Sequence, residues 1–175
     1  GDLLILTKAL GTGLLVSGHR QGRTSAADLA AVDTVDTRNL RGIILFKKNQ
    51  NAEALAAFDK SLQLDGRNVT ANYYRGQVYA RTEQPSETIA AYKKTLEIEP
   101  GYAPASYDLG VAYYNAGDYP NAATAYQQAV KQDPSNGQAH ANLGSTYRQL
   151  ERYPEANAEY EIASATIKTA DLYNE

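Results

Sequence analysis

From residue 35 onward, apolar and small residues recur three and four positions apart, in short blocks separated by polar stretches. That spacing marks one face of an α-helix. In the clearest block, Tyr107, Gly110, Val111 and Tyr114 follow it, Asn115-Ala-Gly-Asp interrupts it, and Ala122, Ala123, Tyr126, Ala129 and Val130 resume it. Gly117 suits a left-handed helix end. Asp133-Pro134 closes the second helix, because a residue before proline is pushed out of the helical region. The pattern predicts helices at about 35–48, 52–64, 69–82, 86–98, 103–116, 119–132, 137–150 and 153–167. Pro85, Pro120 and Pro154 fall near second-helix starts, where a missing N–H costs little.

The blocks are copies of one another. Gly42, Gly76, Gly110 and Gly144 stand 34 residues apart. The same step links Ala54, Thr88, Ala122 and Ala156, then Phe58, Tyr92, Tyr126 and Tyr160, then Ser61, Thr95, Ala129 and Ala163. A mid-helix glycine costs roughly 1 kcal/mol against alanine. Four in register therefore imply a close helix–helix approach, with the aromatic column filling the volume beside it.

A repeated pair of helices of this length resembles the tetratricopeptide repeat (TPR) family. The block from Tyr107 to Pro134 matches best, and the one carrying Leu143, Gly144 and Ala156 is nearly as good. Arg41 and Arg75 stand where the family usually has Leu, and Gly66 and Lys168 replace the closing Pro. The resemblance implies an all-α fold, a right-handed superhelical solenoid of antiparallel helix pairs. Its four repeats would be 35–68, 69–102, 103–136 and 137–170, with 171–175 opening a truncated further repeat or a tail.

Residues 1–34 do not fit the repeat and read as an N-terminal segment, a partial cap or poorly ordered. Leu3-Leu-Ile-Leu is a strand or helix start, Gly11-Thr-Gly13 a turn, and Ser25-Ala-Ala-Asp28 a capping box. Residues 1–22 also resemble a segment of selenophosphate synthetase, with Ala9 where that family has Pro. The reactive Cys of that family has no counterpart, so a fusion remnant or chance match is the reading. With no Met anywhere, the chain reads as processed or trimmed.

Chemistry finds little purchase. There is no Cys, and His19 and His140 are far apart in sequence, which disfavours a zinc site. His140 reads as a packing residue. Gly11-Thr-Gly13 lacks the Lys-Ser/Thr ending of a phosphate loop, and Asp33 and Asp36 read as helix-start charges. No enzyme activity and no cofactor are expected. A net charge of −3 disfavours nucleic acid and anionic membranes. No apolar run approaches the length of a membrane span, and a cytoplasmic location is expected.

Binding is the remaining class. By resemblance, the first helix of each repeat lines a concave face, and the candidate groove residues are Asn39, Lys47, Tyr73, Gln77, Arg81, Tyr107, Tyr114, Asn115 and Arg148. Tyrosines supply contact area at low entropy cost. Asn39, Gln77, Asn115 and Gln149 suit peptide backbone, and the basic residues favour an acidic segment. The family's carboxylate clamp is missing, because its positions hold Asn39, Ile43, Tyr74, Pro104 and Asp108. The expected role is a scaffold that binds a peptide segment or partner subunit. The alternatives are a scaffold that self-associates into a homo-oligomer through uncapped ends, and a targeting module of a larger enzyme.

Overall fold

A computed structural model describes residues 34–172, with side chains through Thr166. Among the described residues all regular structure is helical: α1 (Val35–Lys47), α2 (Asn51–Leu64), α3 (Val69–Arg81), α4 (Pro85–Ile98), α5 (Ala103–Asn115), α6 (Tyr119–Gln132), α7 (Gly137–Gln149) and α8 (Tyr153–Leu172). The expectations placed on the segment before residue 34, the synthetase-like stretch and His19 among them, lie outside the described residues.

Seven helices keep within a residue of their expected spans, but α8 runs on to Leu172 instead of stopping at 167. The reason is local. Asp65-Gly66, Glu99-Pro100-Gly101 and Asp133-Pro134 break the other second helices, whereas Ile167 to Ala170 contains neither Pro nor Gly.

The chain forms two compact units, divided after Ala71. In the first, a capping box starts α1: Thr37 N–H donates to Thr34 Oγ1 at 3.3 Å and Thr34 N–H to Thr37 Oγ1 at 3.0 Å. α1 lies against α2, burying Ala54, Ala57, Phe58 and Ser61. Arg38 reaches the Lys60 carbonyl at 2.6 Å. Asn68 caps the start of α3, accepting from Ala71 N–H at 2.8 Å.

In the second unit, α5 sits between α4 and α6, and α7 between α6 and α8. The core is built from Tyr73, Tyr92, Leu109, Tyr113, Tyr126, Leu143 and Tyr147, with alanines between them. Asp118 and Asn136 cap α6 and α7.

Each glycine of the repeated column faces its own repeat's aromatic ring. A Cβ on Gly42 would come within 2.5 Å of Phe58, one on Gly110 within 2.6 Å of Tyr126, and one on Gly144 within 2.9 Å of Tyr160. A Cβ on Gly76 would collide with Tyr92. A second column sits at the turn inside each pair: Asn49, Glu83, Gly117 and Glu151 have φ of 60°, 56°, 76° and 60°. The next residue's N–H reaches five residues back in each turn, as in Gln84 to Tyr79 O and Asp118 to Tyr113 O, both 2.9 Å. This is the helix-ending bond of a Schellman turn.

Gly110→Ala is expected to lower the unfolding free energy by about 1–3 kcal/mol through overpacking, although alanine alone would add roughly 1 kcal/mol of helix propensity. In a urea-unfolding cycle, Tyr126→Leu should relieve much of that loss. Glu83→Gly and Glu151→Gly are each expected to raise stability by about 0.5–1 kcal/mol, since a side chain in the left-handed region costs about 1–2 kcal/mol and glycine's chain entropy offsets only part of the gain. Thermal unfolding of each variant checks this.

Candidate peptide-binding face

In the second unit, the first helices α3, α5 and α7 expose a run of positions spaced to face one way: Gln77, Arg81, Tyr107, Tyr114, Asn115, Arg148 and Gln149 are half-buried or exposed. Asn39 and Lys47 belong to the first unit. Lys47 is exposed there, while Asn39 is buried and donates to Asn68 Oδ1 at 2.9 Å. Asn39 therefore holds the α1 face to the α3 cap and is not open to a ligand.

Tyr73 also departs from the expected role. It is only 9% exposed, with ring centroids 5.5, 5.8 and 5.1 Å from Tyr74, Tyr92 and Tyr102. Its hydroxyl donates to Asp108 Oδ2 at 2.9 Å and accepts from Gln77 Nε2 at 2.8 Å. Tyr73 and Gln77, expected as ligand contacts, meet instead around the Asp108 carboxylate.

The same arrangement recurs along the unit. Asn142 Nδ2 donates to the Tyr107 hydroxyl at 3.0 Å, and Gln149 Nε2 to the Tyr114 hydroxyl at 3.4 Å. Tyr107 rests edge-on against Tyr126 and Tyr114 against Tyr119. Each bond runs from one repeat's tyrosine to a polar residue 35 positions later, the column just past its own. That offset is the signal by which Asp108 and Asn142 were missed, since comparison of equivalent positions pairs residues 34 apart.

Asp108 is the electrostatic centre of the unit. Burial raises its carboxyl pKa above the ordinary 3.8, against the hydrogen bonds from Tyr73, Gln77 and Tyr92 that pull it down. Burial, and then the Asp108 charge, push the Tyr73 and Tyr92 phenols above their ordinary value. His140, read as a packing residue, is 7% exposed and lies between α7 and α8. Its Nδ1 is 2.6 Å from Glu159 Oε2 and its Nε2 3.3 Å from the Pro134 carbonyl. Among the described residues, no group of three or more His, Cys, Asp or Glu could hold a metal ion, and no helix is long and apolar enough to cross a membrane.

Paired helices stacked in register, with a lengthwise face of aromatic, amide and basic side chains, define a helical-repeat protein of the interaction-scaffold class. Family models described as "Tetratricopeptide repeat" and "TPR repeat" match residues 107–166 and 42–82. Together these take in more than half of the sequence, and the chain belongs to the tetratricopeptide repeat family. Among solved structures it is similar to "Crystal structure of MamA" (22% identity, TM-score 0.76, covering 79% of this chain and 81% of that one). It is also similar to "MamA RS-1 ArsTM double mutant" (24%, 0.73, 78% and 77%) and "MamA AMB-1 P212121" (23%, 0.70, 79% and 79%). At these identities the likeness is one of fold. The curated proteins contain no match.

Asp108 sets a pH dependence. A carboxyl whose folded pKa is raised loses stability as pH rises from its ordinary value of 3.8 through the folded one, because ionisation is easier in the unfolded chain. Asp108→Asn should lack this loss. Its stability relative to the parent is expected to be most favourable near neutral pH and to decline as pH falls towards 4, measured by denaturant unfolding across that range.

Proposed function

We propose that this chain is a non-catalytic scaffold that binds a peptide segment or partner subunit along the face of α3, α5 and α7. One observation carries the reading: the positions expected to line the face in the second unit are half-buried or exposed, except for Tyr73. Tyr107 and Tyr114 present ring surface there, and Asn115 and Gln149 present amides able to pair with an extended backbone. Arg81 and Arg148 add positive charge towards the ends of α3 and α7 and favour acidic residues at those points. Likeness to MamA supports the fold on which this face is built and leaves the partner open.

The test replaces half-buried or exposed residues of the face and leaves the enclosed Tyr73 in place. A triple variant, Arg81→Ala, Tyr114→Ala and Arg148→Ala, is expected to keep its helical circular dichroism. In a pull-down read by mass spectrometry it should lose at least one partner that the parent captures, with truncation of an anchoring Tyr or Arg costing about 2 kcal/mol or more. Identical captures by the two proteins, or recovery of only the chain itself, would remove this face from consideration.

A further inference from the structure

A pocket of about 670 Å³ opens where α3, the following turn, α4 and α5 meet, within the second unit. Thr88 and Tyr92 form its buried end, and Asp108 lies half-buried beside them. Pro85, Val111 and Ala112 supply apolar wall. Glu83, Gln84 and Asn115 stand at the more exposed side. The only charged groups lining it are Asp108 and Glu83, both acidic; Arg81, beside Ala80 on α3, does not line it.

We infer that this pocket seats a lysine or arginine side chain of a partner polypeptide, with the methylene stem against Pro85, Val111 and Ala112 and the cationic head on Asp108. The inference rests on the proposed binding face and gives it a partner chemistry at one point.

Lys and Arg bury their stems against apolar surface while the head keeps polar company, which matches walls of one kind ending in a carboxylate. Asp108 is held in place before any ligand arrives, since Tyr73 and Gln77 fix its Oδ2, so little ordering remains to be paid on binding. A carboxylate that burial leaves poorly solvated gains from an arriving cation, and the pair is formed where water screens it least. The volume falls in the range of ligand pockets and exceeds one side chain, leaving space for flanking backbone within reach of Gln84 and Asn115. An acidic side chain would meet two like charges there, so the basic residues of the face and this pocket select different points on one partner.

The experiment titrates the ¹⁵N-labelled full chain with acetyl-Ala-Arg-Ala-amide, with its citrulline and Glu counterparts, and with putrescine. The arginine peptide is expected to give saturable amide shifts at Gln84, Thr88, Val111 and Asn115. The citrulline peptide, equal in shape but uncharged, should bind at least about tenfold more weakly, as expected for loss of a charge-assisted bond. Asp108→Asn should weaken the arginine peptide by a similar factor while keeping the parent's helical circular dichroism. Ala112→Leu, which fills the space and leaves the carboxylate, should abolish the shifts. Equal binding of citrulline, undiminished binding to Asp108→Asn, preference for the Glu peptide, or no shifts at these amides would each overturn the inference. Putrescine binding more tightly than the peptide would assign the pocket to a small polycation and overturn it as well. Because Arg81, Tyr114 and Arg148 lie outside the pocket lining, the pull-down of the triple variant decides the binding face independently of this result.

Discussion

Each of the four described helix pairs is arranged around a glycine pressed against an aromatic ring. Gly42 lies under Phe58 in the first unit, and Gly76, Gly110 and Gly144 lie under Tyr92, Tyr126 and Tyr160 in the second. The glycine gives up roughly 1 kcal/mol of helix propensity, while burying the ring returns about 1.5–3 kcal/mol, so the close approach wins. It also fixes which faces of the two helices meet, and thereby which residues are left to look outward.

The second unit then divides its tyrosines between two tasks. Tyr92, Tyr126 and Tyr147 are enclosed, whereas Tyr107 and Tyr114 keep ring surface open and use their hydroxyls to reach the next repeat. Tyr73 has crossed from the second group to the first, because Tyr74, Tyr92 and Tyr102 close over it and Asp108 holds its hydroxyl. The cost is a carboxylate kept in poor solvent, and that same carboxylate gives the pocket beside it a sign of charge.

The helices and their contacts were legible in the sequence because they depend on local spacing: the glycine and aromatic columns, the turn at Gly117 and the stop at Asp133-Pro134 each act within one repeat. The end of α8 is the exception: it is expected at 167, and with Lys168 standing where a proline would stop it, the helix runs on to Leu172. The side-chain network was not legible. Whether Tyr73 faces a ligand or the core is decided by three rings from α3, α4 and the start of α5, and its partner Asp108 lies 35 residues on, off the repeat period. Asn39 departs from its expected role for a related reason: its amide is taken by Asn68, 29 residues on at the end of the same repeat.

The bond between neighbouring first helices is unusually tolerant of its partner. In one place the tyrosine hydroxyl donates to an aspartate, in another it accepts from an asparagine, and further along it accepts from a glutamine. A hydroxyl can do either without moving its oxygen, so the tyrosine works as an adaptor, fitting whichever polar group comes next. Blocks joined this way can be duplicated, deleted or exchanged with their seams already satisfied. An array can therefore change length or order by recombination while the glycine–ring contact inside each block stays untouched.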